Sequence, residues 1–124
     1  CSSDLIKKNN PKNETIDLLI FYSAEYYTFL NVKNPMPICS EVDWFTKEDY
    51  NKVIRWLEKT NHKLFIDEAM DEKLMRYIPV EYSAVLKKRF KPVDQTKGIQ
   101  CIEIRTNPNP YIMTNDIKCY ELKN

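Results

Sequence analysis

Glycine is nearly missing from this chain: Gly98 stands alone among 124 residues. Backbone cradles for phosphate need several glycines at fixed spacing, as in G-x-x-x-x-G-K or G-x-G-x-x-G, so nucleotide binding through such loops is excluded. Histidine is equally scarce. His62 is the only one, and with no C-x-x-C pair a closed four-ligand zinc site lacks ligands at usable spacing. Neither a metal nor a cofactor is expected. An excess of one charge sign is missing too, because 19 Lys and Arg against 18 Asp and Glu leave only +1. No global field therefore steers the protein onto nucleic acid. No run approaches the ~18 apolar residues of a membrane-spanning helix. What is present, 43% hydrophobic and 30% charged residues, is the composition of a globular protein. At 124 residues the chain is long enough for one core and too short for two.

The amino terminus reads Cys1, Ser2, Ser3, Asp4, followed by Lys7, Lys8, Asn9, Asn10, Pro11, Lys12 and Asn13. With only Leu5 and Ile6 to bury, residues 1–13 are expected to be a flexible tether ahead of a single domain over 14–124. A leading Cys followed by small residues and a polar linker resembles the mature end of a bacterial lipoprotein. The resemblance covers about a dozen residues and says nothing of the fold behind them. It implies a lipid on Cys1, export to the bacterial cell envelope on the periplasmic or surface side, and membrane contact through that anchor only. Ser2 after the Cys implies an outer-membrane address.

Cys39, Cys101 and Cys119 then permit either one disulfide with one free thiol or three thiols in a packed core. Residues 98–105 and 111–123 flank Thr-Asn-Pro-Asn-Pro and read as a hairpin. Across it Cys101 and Cys119 face each other, close enough for a bridge if their Cα atoms lie within about 7 Å. An oxidising compartment favours that pairing.

Two strands are expected at the start of the domain, over 15–22 and 26–32, from their content of β-formers and aromatics. A helix opens at Thr46, an N-cap with Asp49 completing a capping box and Phe45 placed to staple onto Tyr50. Tyr50, Val53, Ile54 and Leu57 form its apolar stripe. Lys63 to Asp67 is a short strand. Met70, Leu74, Tyr77 and Ile78 keep helical spacing up to Pro79, which can start a second helix carrying Tyr82, Val85, Leu86 and Phe90 inward until Pro92 stops it. Strands at the termini and helices between them predict an α+β fold, a largely antiparallel sheet with two to three helices packed on one face.

Catalytic chemistry finds little support. His62 follows a helix end and is expected to interact with that helix's terminal carbonyls. Asp67, Glu68, Asp71 and Glu72 are the densest acidic cluster and stand where a helix amino end favours negative charge. Lys87, Lys88, Arg89 and Lys91 spread over the solvent side of a helix. The aromatic load is more telling, with eight Tyr, five Phe and two Trp, because rigid amphipathic rings anchor protein interfaces. Tyr26, Tyr27, Trp44 and Trp56 are the candidate partner-binding residues. The expected function is therefore a lipid-anchored protein-binding module and not an enzyme, most specifically an immunity-type inhibitor that covers the active site of a secreted antibacterial toxin. An accessory lipoprotein of an envelope complex or nutrient-capture system is the alternative binding role. A small acid-dependent hydrolase using Asp67 and Asp71 is the catalytic one.

Overall fold

The structure is a computed structural model that describes residues 2–20, 23–36, 46–96 and 116–124. Their order is α1 (Ser2–Asn9), β1 (Asp17–Leu19), α2 (Ser23–Leu30), α3 (Lys47–Leu57), β2 (Leu64–Asp67), α4 (Glu68–Tyr77), α5 (Pro79–Arg89), β3 (Phe90–Gln95) and β4 (Ile117–Leu122). The strands form one sheet in the order β1-β2-β4-β3. β1 runs parallel to β2, while β2 with β4 and β4 with β3 are antiparallel. The fold is α+β, with a mixed and mostly antiparallel sheet.

β2 explains the layering. All four of its residues are buried, and because side chains alternate along a strand, Leu64 and Ile66 enter one core while Phe65 enters the other. The first core holds Leu19 and Phe90 with the apolar stripes of α3, α4 and α5. The second holds Leu18, Ile117 and Cys119 with Leu5 and Ile6 of α1 and Tyr27 and Leu30 of α2. Helices thus cover both faces, where one covered face was expected. The reason lies in two segments whose sequence reads otherwise.

The first is residues 1–13. The segment expected to be a tether is helical from Ser2 to Asn9, and Leu5 and Ile6 are both buried in the second core. Polar contacts fix it there. Asn9 Nδ2 donates to Asp94 Oδ2 at 2.9 Å, Lys8 lies 3.3 Å from the same carboxylate, and Lys63 Nζ donates to the Asn9 carbonyl at 2.6 Å. The Asn9 hydrogen bond, foremost, holds the Asp94 carboxyl below its usual range. These partners lie more than fifty residues away, so local composition carries no trace of them. The second segment is 26–32, expected as a strand, which instead lies mostly in α2 and ends in the left-handed Asn31. Its strand-forming side chains are overruled by Tyr27 and Leu30, one helical turn apart and both buried.

The remaining elements follow their local signals. Thr46 and Asp49 form the reciprocal capping box of α3, and its buried residues are Tyr50, Val53, Ile54 and Leu57; Phe45 lies outside the described residues. Pro79 opens α5 at its first turn. Pro92 falls inside an edge strand, β3, and a bulge follows between Pro92 and Asp94. Of the expected terminal hairpin, only the second arm is described, as β4; the arm over 98–105 lies outside the described residues.

A truncation in α1 distinguishes a docked helix from a tether. Ile6→Ala should lower unfolding free energy by about 2–5 kcal/mol, the range for emptying a buried aliphatic site. A urea titration checks this; a change near zero would restore the tether reading.

Candidate functional site

The acidic cluster lies where β2 ends and α4 begins. Asp67 is the last residue of β2 and the N-cap of α4, its side chain accepting from the Met70 amide at 2.8 Å. Because the adjacent β4 runs antiparallel, its first residues arrive at the same end of the sheet, and Glu68 N donates to the Asp116 carbonyl at 3.0 Å. Ile66, Asp67, Glu68, Asp71, Asp116 and Lys118 line a cavity of about 190 Å³ there. Asp116 and Lys118 were not linked to these acids by sequence spacing, since only strand pairing brings them in.

The geometry occupies the acids with structural work. Asp67 is 3% exposed and caps a helix. Asp71 accepts a 2.5 Å hydrogen bond from the Tyr82 hydroxyl. Burial chiefly, and the Asp71 carboxylate after it, push the Tyr82 phenol well above its ordinary range. A carboxylate that accepts from a buried phenol is an anchor for α5 more than a proton donor for hydrolysis. Among the described residues no cluster of His, Cys, Asp and Glu could hold a metal ion.

At the other end of the sheet, Asp17 is fully buried at the start of β1. Its carboxylate accepts from Thr60 Oγ1 at 2.6 Å and faces His62 Nδ1 at 3.3 Å. A nucleophile and base would need the hydroxyl on one ring nitrogen and the acid on the other. Here Thr60 Oγ1 and Asp17 both face Nδ1, so the trio is a clasp joining the 58–63 connection to β1. The α3 carbonyls expected to meet His62 are met by Arg89, whose Nη1 donates to Leu57 O at 2.6 Å and Nη2 to Thr60 O at 2.9 Å.

No known family, curated protein or solved structure matches this chain.

The candidate anchors fare unequally. Tyr27 is 4% exposed and its hydroxyl bridges two backbone groups of β1, accepting from Leu18 N at 2.8 Å and donating to Ile16 O at 3.0 Å. It is a structural residue, which corrects its expected role as a surface anchor. Tyr26 is half-buried against the second core. Trp56 is half-buried, its Nε1 buried without a hydrogen-bond partner among the described residues, with Lys59 Nζ 5.5 Å above its ring and the His62 ring 6.4 Å away. Trp44, Cys1 and Cys101 lie outside the described residues. Cys119 is fully buried, and that burial pushes its thiol up to about 12.

The residues that do stand out are others. Met75, Tyr77 and Val80 are 45%, 56% and 76% exposed around the α4–α5 joint. Ser83 Oγ approaches Met75 Sδ at 3.5 Å, and Val80 lies one turn before Ser83 on the same face of α5. Met75 and Val80 therefore share one surface. Tyr77, expected on an inner stripe, instead lies outside it with its ring 5.0 Å from that of Tyr50. Met75 and Val80 fall off the helical stripes in sequence, which was the available signal.

Tyr27 and Tyr82 also set an alkaline limit. Both phenols are raised in the fold, mainly by burial, so above about pH 10 the unfolded chain loses protons that the folded chain keeps. Their stabilisation is complete below that pH and declines as pH rises, by up to about 1.4 kcal/mol per pH unit for each. Urea midpoints measured from pH 9 to 12 should fall accordingly; a flat profile would contradict the buried phenols.

Proposed function

We propose that this chain acts as a protein-binding module, with the apolar corner of Met75, Tyr77 and Val80 as its contact surface. The carrying observation is that three of the five large hydrophobics exposed among the described residues, Met75, Tyr77 and Val80, stand 45–76% exposed at one helix joint, whereas Phe29 and Val93 stand apart from it. Clustered exposed hydrophobics of this kind mark interaction sites, and Met adapts readily to a partner's shape. Tyr77 adds a rigid ring that can bury its body while keeping its hydroxyl wet. The hydrolase reading has less behind it, because Asp67 and Asp71 already serve as helix cap and phenol acceptor.

The finer form of the proposal is an exported inhibitor of the immunity type, lipid-anchored at the bacterial envelope through Cys1, that binds a secreted toxin and covers its active site. It rests on the Cys1-Ser2-Ser3 motif and on the binding corner together. In that form α1 leaves little spacer: Leu5 and Ile6 are already in the core, so a lipid on Cys1 would hold the α1 and α2 face of the sheet beside the bilayer. The α4–α5 corner, which belongs to the opposite layer, would then face away from the membrane and remain open to a partner. An accessory role in an envelope complex uses the same corner, and identification of the partner separates the two.

Two measurements test this. Wild-type protein used as bait on its native envelope fraction should retain a stoichiometric partner, and Val80→Asp should lose it at least tenfold while keeping its thermal midpoint, since Val80 packs little. Absence of a partner, or equal recovery by both baits, would overturn the corner. For the anchor, Cys1→Ser should move the protein from the membrane to the soluble fraction; unchanged fractionation would sink it.

A further inference from the structure

The methionines of this chain stand in unequal surroundings. Four are present, of which Met113 lies outside the described residues. Met70 is 1% exposed in the first core, and Met36 packs half-buried against it. Met75 differs from both. Its side chain is 45% exposed on α4, so among the three described thioethers it is the one that a dissolved reagent reaches most readily.

The Met75 sulfur also has a hydrogen-bond donor. Ser83 Oγ donates to Sδ at 3.5 Å across the α4–α5 joint, and Ser83 is held in place by its neighbour Tyr82, which is fully buried and bonds Asp71 of α4 through its hydroxyl at 2.5 Å. A thioether sulfur is a weak acceptor with two lone pairs. The serine hydroxyl engages one of them and leaves the other open to solvent. Two faces of the sulfur that are nearly equivalent in a free side chain are therefore inequivalent here.

A two-electron oxidant such as hydrogen peroxide reacts at the open lone pair. Sulfur attacks one peroxide oxygen, the S–O bond forms as the O–O bond breaks, and the departing hydroxide takes the proton of the transferred oxygen and becomes water. Sulfur loses two electrons and the peroxide gains them. The product, methionine sulfoxide, is polar and chiral. It places a strong acceptor beside Tyr77 and Val80, and a partner that covers the corner has to desolvate that acceptor or pair it.

We propose that Met75 is a redox modification site, where an oxidant of the peroxide class forms predominantly one sulfoxide epimer under the direction of Ser83, and that this oxidation switches off the α4–α5 corner as a contact surface. The switch rests on the reading of that corner as a binding surface; the modification site does not. A reductase specific for that epimer reverses the step. Its two thiols become a disulfide, the oxygen leaves as water, and the apolar thioether returns.

Limited oxidation of the folded wild-type protein by hydrogen peroxide, followed by digestion and peptide mass mapping, tests the site. Met75 should take up oxygen at least tenfold faster than Met70, with the thermal midpoint unchanged. Given to each of the two epimer-specific reductases, the Met75 peptide should lose at least fivefold more oxygen to one than to the other, and Ser83→Ala should bring that ratio near one, as oxidation of the denatured wild type does. A ratio near one from folded wild type overturns the directed site, even where Met75 reacts fastest. For the switch, bait freed of peroxide is presented to the untreated native envelope fraction. Oxidised wild type should retain at least fivefold less partner than unoxidised, whereas Met75→Leu should retain the same amount before and after treatment. Equal retention by oxidised and unoxidised wild type overturns the switch, and so does an equal loss in Met75→Leu, which assigns the effect to another residue. If unoxidised wild type retains no partner, the corner reading falls and the switch with it, while the epimer ratio still decides the modification site.

Discussion

Burial of β2 on both faces is the constraint from which the rest of the molecule follows. A strand whose residues alternate between two dry layers needs helices above and below it, and the domain has to find them within a short chain. α3, α4 and α5 supply one layer from amphipathic stripes of ordinary form. The other layer is assembled from α1 and α2, short helices with little to recommend them in isolation. Their stability is borrowed from the sheet: Ile6, Tyr27 and Leu30 become helical contacts because Leu18, Phe65, Ile117 and Cys119 would otherwise face water.

Long-range polar contacts complete what burial begins. Asp94 holds the end of α1, Arg89 ties the carboxyl end of α3 to the last turn of α5, and Asp17 clasps Thr60 and His62 across the start of β1. Tyr82 and Asp71 lock α5 to α4. Each pair joins elements that must be placed relative to one another, and each consumes a side chain that composition alone could assign to chemistry. Asp67 and Asp71 of the acidic cluster, the lone histidine and Arg89 of the cation run turn out to be joints, and exposed apolar surface at the α4–α5 joint is a feature that these contacts do not explain.

The α4–α5 joint exposes Met75, Tyr77 and Val80 because Pro79 starts a new helix there and Ile78, its N-cap, turns inward, leaving its neighbours outside. At the β1 edge the Tyr27 hydroxyl of α2 bonds the Ile16 carbonyl and the Leu18 amide.

Local chemistry wrote several elements plainly. The Thr46 and Asp49 box, the stripe from Tyr50 to Leu57, the β2 segment and the start of α5 at Pro79 depend on residues within a turn or two of each other, so their pattern survives in one dimension. The α+β class was legible for the same reason. The docking of α1, the helical state of residues 23–30, the layer on the second face, the burial of Tyr27 and the exposure of Tyr77 were not. Several turn on a partner far along the chain, such as Asp94 for Asn9 or Tyr50 for Tyr77. Propensity differences amount to about 1 kcal/mol or less per residue, while burying one large side chain contributes roughly 1.5–3 kcal/mol, so where the two disagreed the packed arrangement prevailed.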